Sequence, residues 1–273
     1  MPETLSPTLV DIQSSPDPRG VALRKVGISG VAMPLMVAGR SGVQPVQAEV
    51  ALTVGLDAST KGTHMSRFVE ALLPYRDVPM TTLALEGLVR DVRDRLRAPS
   101  AQVAMAFRYF VDKQAPASGL VAPTDVQVSL EGEVDATGDY LATLAVTVPM
   151  TTLCPCSKAI SRYGAHNQRS LVTARLRFAG EAPTVEELVE GLDSCGSCPV
   201  YPLVKREDEK HITEQAYENP RFVEDVLREA TLWARALPGI TWFSLTCENL
   251  ESIHNHSAWG MHEEDVPAPI PGA

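Results

Sequence analysis

Residues 46–56 read VQAEVALTVGL, and every second position (Val46, Ala48, Val50, Leu52, Val54, Leu56) is apolar. A side-chain period of two puts those six on one face of a β-strand, with Gln47, Glu49 and Thr53 on the other. A strand with one dry and one wet face belongs to an antiparallel sheet. Upstream, VALRKVGISGVAMPLMV (21–37) is mostly β-like. Downstream, two helices are predicted: 63–75, ending near Pro74, and 82–97, with Leu85, Leu88, Val89, Val92 and Leu96 at helical spacing. AQVAMAFRYFV (101–111) and TDVQVSLEGEV (124–134) return to strand.

The same plan recurs beyond residue 135. YLATLAVTVPM (140–150) and SLVTARLRF (170–178) alternate as strands. PTVEELVEGL (183–192) opens a helix with a Thr184–Glu187 capping box. NPRFVEDVLREATLWARAL (219–237) predicts a helix with Asn219 as N-cap and Pro220 at its first position. ITWFSLTCENL and SIHNHSAWGM (240–250 and 252–261) predict the closing strands. The halves share no sequence identity, so the repeat is one of architecture. The expected class is α+β: two tandem β-β-α-α-β-β modules with antiparallel sheets, at 20–134 and 135–265. A mobile arm (1–19) and a frayed tail (266–273) flank them.

A chain of 273 residues, 44% hydrophobic and 21% charged, has the composition of a soluble globular protein. The net charge of −10 disfavours broad nucleic-acid or anionic-membrane binding, and aromatics at 5% argue against base stacking. No run approaches the roughly 18 apolar residues of a membrane span, and the first residues lack the pattern of a secretory signal. A cytoplasmic chain is expected, in which five cysteines stay reduced.

The densest chemistry lies in TTLCPCSKAISRYGAHNQRS (151–170). Cys154 and Cys156 flank a stiffening proline, and either suits a metal-bound thiolate or a nucleophile. Buried, inert thiols are an equally good reading from spacing alone. His166 sits in a turn, and a loop histidine matters only if other ligands converge on it. CENLESIHNHSA (247–258) supplies Glu251, His254 and His256, a set suited to proton transfer or metal binding. In an extended chain the two histidines share a face and Glu251 points away. Between these segments Glu207, Asp208, Glu209, Glu214, Glu218 and Glu224 are candidate acids, with Glu224 flanking an apolar helical stripe. Cys195 and Cys198 have the Cys-x-x-Cys spacing of a zinc knuckle or a redox pair, and without a second close pair they form only half of a zinc site. TKGTHMSRF (60–68) gathers Lys61, His64 and Arg67 at a helix entry, readable as a phosphate site or as an ordinary helix start.

Five segments, DIQSSPDPRGVALRKVGI, KGTHMSRF, LCPCSKAISRYGAHNQRS, DEKHITEQAYENPRFVED and ENLESIHNHSA, occur in the order in which they occur in one family. In them the chain resembles the GTP cyclohydrolase I family of the IB type. The resemblance implies the tunneling fold, with two β-β-α-α-β-β modules per chain and a barrel-like homotetramer whose sites lie at subunit interfaces. It implies hydrolysis of GTP to 7,8-dihydroneopterin triphosphate and formate, the entry to tetrahydrofolate, with no nicotinamide or flavin. By the same resemblance Cys154, His166 and Glu209 hold a divalent metal, with Cys156 an alternative to Cys154. Zinc, manganese and iron all suit this mixed donor set. Cys154 also joins the catalytic group with Glu251, His254 and His256, and Glu224 anchors the guanine edge. Lys158, Arg169 and His64 bind substrate, with Lys61, Arg162, Lys205 and Arg206 as further cations for the triphosphate. Two rivals remain: another tunneling-fold enzyme with a nucleophilic cysteine and NADPH, of the nitrile reductase type, and a non-catalytic protein stabilised by zinc on Cys154, Cys156, Cys195 and Cys198.

Overall fold

A computed structural model describes residues 11–267; residues 1–10 of the expected arm and 268–273 of the expected tail lie outside the described residues. The first half contains β1 (Leu23–Gly39), β2 (Gly42–Leu56), α1 (Met65–Leu72), the two-residue β3 (Pro79–Met80), α2 (Thr82–Leu96), β4 (Ala101–Gln114) and β5 (Val121–Val134). The second contains β6 (Tyr140–Leu153), α3 (Pro155–Ile160), β7 (Asn167–Phe178), α4 (Val185–Asp193), β8 (Cys198–Pro199), α5 (Arg206–Glu218), α6 (Val223–Arg235), β9 (Ile240–Leu250) and β10 (Ala258–Asp265).

The strands form one mixed sheet in the order β10-β9-β7-β6-β5-β4-β2-β1-β3, with β8 attached to β6. All the long strands pair antiparallel; only β3 lies parallel to its neighbour β1. Val46, Ala48, Val50, Leu52 and Val54 are buried, as their alternation requires. The core continues through Val103, Met105 and Phe107 of β4 to Val172, Ala174 and Leu176 of β7. The helices cover this face: α2 packs on β4 and β5, α4 on β6, and α6 on β9. Leu85, Leu88, Val89 and Val92 of α2 are fully buried, each contributing about 1.5–3 kcal/mol. A Cβ at Gly132 would stand 2.9 Å from both Leu85 and Val89, so the glycine lets α2 lie against β5. Sheet and core run unbroken across the 135–139 turn that joins the halves.

Three expectations are corrected. Helix α5 was not foreseen, because its polar sequence REDEKHITEQAYE buries only Asp208 and Ala216 and carries a weak apolar stripe. Helix α6 begins at Val223 rather than at Pro220, with Asp225 Oδ2 accepting the Phe222 N–H at 3.0 Å. Asn219 instead ends α5 and donates its amide to the carbonyls of Gly196 and Ser197. Residues 251–257 form a loop rather than the start of a strand; Ser252, Asn255 and Ser257 favour turns. Within the arm, Gln13 Nε2 donates to Thr63 O, and backbone hydrogen bonds join 13–17 to 59–62.

Asp208 anchors α5. Its buried carboxylate accepts the N–H groups of Ala117, Ser118 and Lys205, each at 2.8 Å, and the Ser118 hydroxyl at 2.6 Å. Burial pushes this carboxyl up, but the hydrogen bonds outweigh it and hold the group well below the usual carboxylate range. A depressed folded value means stability that is present above the unfolded pKa, about 3.9, and lost as pH falls towards the folded one. Asp208→Asn is therefore expected to lower the thermal midpoint at pH 7 by roughly 5 °C or more. It should also flatten the acid limb, so that melts of variant and wild type begin to draw together below about pH 4 and converge only as pH falls to the depressed folded value.

Candidate active site

Strand β6 ends at Leu153, paired with Asn167 at the start of β7, and the ladder continues one step further. The Cys154 N–H donates to His166 O at 3.1 Å. Opposed residues of an antiparallel pair present their side chains on one face, so Cys154 and His166 face together. That face is the one on which Thr152 and Gln168 are buried, and the pair stands where the core opens to solvent.

Cys154 is the N-cap of α3, with extended backbone (φ −68°, ψ 116°) and Pro155 as the first helical residue. Its Sγ accepts the Ser157 N–H at 3.4 Å. Ser157 Oγ donates to Cys154 O and accepts the His166 N–H, both at 3.2 Å, tying the two residues together. The His166 ring contacts Gln168 Oε1 through Nδ1 at 3.0 Å. Cys156 lies on α3 and is exposed. A cleft of about 460 Å³, lined by Leu153, Gly164, Asn167, Thr213, Tyr217 and Glu218, separates the 161–166 loop from α5. Larger hollows of about 650 and 750 Å³ lie beside α2 and on the open sheet face, away from both Cys154 and His166.

The other candidates divide by position. Lys158 donates from Nζ to Tyr217 O and lies 4.3 Å over the Tyr217 ring, joining α3 to the end of α5. Arg169 is three residues from His166 along an extended strand and faces the opposite side of the sheet. His64 sits between β2 and α1, its Nε2 3.3 Å from Asp11 Oδ2. Four strand spacings separate β2 from β7, roughly 19 Å. Glu251 follows the pairs Ser170–Asn249 and Arg169–Leu250, which places it opposite Gln168 at the same end of the sheet as His166. His254 and His256 are exposed in the loop, with their rings stacked 4.9 Å apart at 13°. Glu209 and Glu224 stand exposed in the first turns of α5 and α6. Glu209 is eight residues from Tyr217, about 12 Å along the helix.

Among the described residues no three His, Cys, Asp or Glu side chains converge to hold a metal ion. The donor chemistry of Cys154 and His166 nevertheless fits a divalent metal as two of its ligands: a thiol receiving an N–H, and an imidazole whose other nitrogen is engaged.

Among the described residues no set of three His, Cys, Asp or Glu gathers at Cys195 and Cys198 to complete a zinc knuckle. Both are buried, their thiols pushed up to about 11 by burial, and they donate to Gly191 O and Gln215 Oε1. Their turn braces the candidate site instead. Ser197 Oγ accepts the Leu153 N–H at 3.1 Å, the Ser197 N–H donates to Thr151 O, and the Arg221 N–H donates to Leu153 O. Sequence reading missed Ser157, Gln168 and Ser197 and took Asn219 for a helix cap; the available signal was Gln168 and Ser170, polar residues at core positions of β7.

Comparison with known proteins agrees with the segments noted in the sequence. A family model described as type I GTP cyclohydrolase FolE2 matches residues 9–260. GTP cyclohydrolase FolE2 of Geobacter sulfurreducens is 46% identical over 256 residues, covering 93% of this chain and 98% of that protein. The Bordetella petrii protein of the same name is 45% identical over 267 residues, covering 96% and 100%. Among solved structures, a uricase from Bacillus fastidious superposes with a TM-score of 0.50 at 7% identity, covering 89% of this chain and 93% of that one, a likeness of fold alone. The chain belongs to the FolE2 family of type I GTP cyclohydrolases.

Proposed function

We propose that the chain hydrolyses GTP to 7,8-dihydroneopterin triphosphate and formate, the entry step to tetrahydrofolate, in the cytoplasm and with a divalent metal on Cys154 and His166. The observation that carries this reading is the Cys154–His166 pair, held by one backbone hydrogen bond and by Ser157 in a chain of this family. A bound divalent metal supplies Lewis acidity and lowers the pKa of its water towards neutrality.

The chain's own groups do the rest. Glu224 accepts N1–H and the 2-amino group of guanine and so aligns C8 with the metal site. His254 and His256 hold and return protons, first to N7 as the imidazole ring opens and then during formamide hydrolysis. Glu251 orients this relay from the end of β9. Lys158 and Arg162 begin the triphosphate path. Neither ring opening nor rearrangement changes the net oxidation level, so neither nicotinamide nor flavin is needed.

Glu209 completes the metal shell and His64, Lys61 and Arg169 reach the substrate through assembly, with sites shared between the subunits of a homotetramer. The tandem modules close into a barrel by pairing of free sheet edges. This is supported by the four strand spacings, roughly 19 Å, between β2, after which His64 lies, and β7, and by Ile160 and Tyr163 beside the site, 87% and 83% exposed. Formate release from GTP by metal-stripped protein, with zinc, manganese and iron restored separately, tests the activity. Formate with at least one metal and none without is expected. No formate with any metal would overturn the reading.

A further inference from the structure

Behind His166 a line of hydrogen bonds crosses three strands. Gln168 Nε2 donates to Thr152 Oγ1 at 2.9 Å, and Thr152 Oγ1 lies 2.8 Å from Ser170 Oγ. Ser170 Oγ donates to Asn249 Oδ1 at 2.6 Å, which also accepts the Cys247 thiol at 3.5 Å. Gln168, Thr152, Ser170, Asn249 and Cys247 are all buried, so solvent cannot substitute for a missing partner.

The line has a direction. Burial pushes the Cys247 thiol up to about 12, so it keeps its proton and donates, which turns the Asn249 carbonyl inward. Ser170 spends its single proton on that carbonyl, so Thr152 must donate to Ser170 and accept from the Gln168 amide. Only Gln168 Oε1 is then left to face the imidazole. The Nδ1 atom of His166 must carry the ring proton, leaving the Nε2 lone pair free.

We propose that Gln168, held by Thr152, Ser170 and Asn249, is a positioning residue that fixes His166 as its Nδ1–H tautomer and presents Nε2 to the metal. The inference rests on the metal reading above, but the tautomer exists with or without metal. Leu171 and Arg169, the neighbours of Ser170 on β7, point to the other face and have no part in the line.

The test uses the full chain, metal-free, with ¹⁵N-labelled histidine. The chain has six histidines, and His166 is assigned by its loss in His166→Ala. Wild type should show His166 protonated at Nδ1. Gln168→Met keeps the shape but offers no acceptor, so His166 should move towards Nε2–H; Gln168→Glu should restore Nδ1–H. Cobalt(II) titration of the same proteins should show binding weakened roughly 10- to 100-fold in Gln168→Met and recovered in Gln168→Glu. A wild-type His166 protonated at Nε2, or a Gln168→Met variant with unchanged tautomer or unchanged cobalt affinity, would overturn the proposal. Wild type that takes up no cobalt would instead overturn the metal reading, with the tautomer still decided by the nitrogen shifts.

Discussion

Cys154→Ser is expected to lose activity by on the order of a thousandfold or more while the protein melts at or above the wild-type temperature. The two effects separate because the proposed reading gives Cys154 two roles. Its Sγ accepts the Ser157 N–H as the cap of α3, and serine is among the best N-cap residues, so the substitution keeps or strengthens the local fold. What it removes is the sulfur donor proposed for the metal. Formate release would report the first effect and a thermal melt the second. Cobalt(II) distinguishes ligation from nucleophilic attack: wild type should show a sulfur-to-cobalt charge-transfer band that Cys154→Ser lacks. If Cys154 acted only as a nucleophile, cobalt would bind with no such band. Cys156→Ser, at an exposed position, should leave both activity and band little changed. An inactive Cys156→Ser with an active Cys154→Ser would reverse the assignment.

The parts of the fold that were legible in the sequence are those set by local periodicity. The alternation of 46–56 and the helical spacing of 82–97 each bury an apolar face, and period alone reveals such a face. Helix α5 escaped because one buried aspartate, rather than an apolar stripe, fastens it, and Asp208 finds its partners about 90 residues away in the turn after β4. Asn219 looked like a helix cap because capping chemistry suits asparagine; the same amide holds a distant turn equally well, and sequence does not choose between them. The candidate site was half visible. Cys154 and His166 are twelve residues apart in a motif of recognisable composition, and a hairpin brings them together. The acids and histidines meant to complete the site come from α5, α6 and the β9–β10 loop, and nothing local fixes where those approach. Ser197 was hidden for the opposite reason: it sits between two cysteines that drew attention to themselves, whereas the serine hydroxyl is what holds β6 beside Cys154.

Lys113→Met is expected to destabilise the fold by about 3–5 kcal/mol at neutral pH, the usual cost of leaving one partner of a buried ion pair alone. Lys113 extends the core-facing row Val103, Met105, Phe107, Tyr109 and Val111 of β4, a position where lysine ordinarily marks the end of burial. Here it stays buried, with 7% of its side chain exposed, because its Nζ lies 2.8 and 2.7 Å from the two carboxylate oxygens of Asp193, itself 15% exposed. Asp193 ends α4, where the helix dipole disfavours an anion, and it has no other cation within salt-bridge distance among the described residues. Burial already raises the Asp193 carboxyl above its ordinary value, against the pull of Lys113. With Lys113 gone, burial acts unopposed and the raise grows. A raised folded pKa means that the native state holds the proton more tightly than the unfolded chain. Stability is then fully present below the unfolded value, about 3.9, and is lost as pH rises through the folded one. The Lys113→Met defect should therefore deepen as pH rises above about 4 in urea titrations, whereas a mere packing defect would be independent of pH. The double variant Lys113→Met/Asp193→Leu removes both charges and should recover most of the loss, since a well-packed apolar pair often equals a buried ion pair. A double variant as unstable as the single one, with no pH dependence in either, would show that the lysine stem rather than its charge holds β4 to α4.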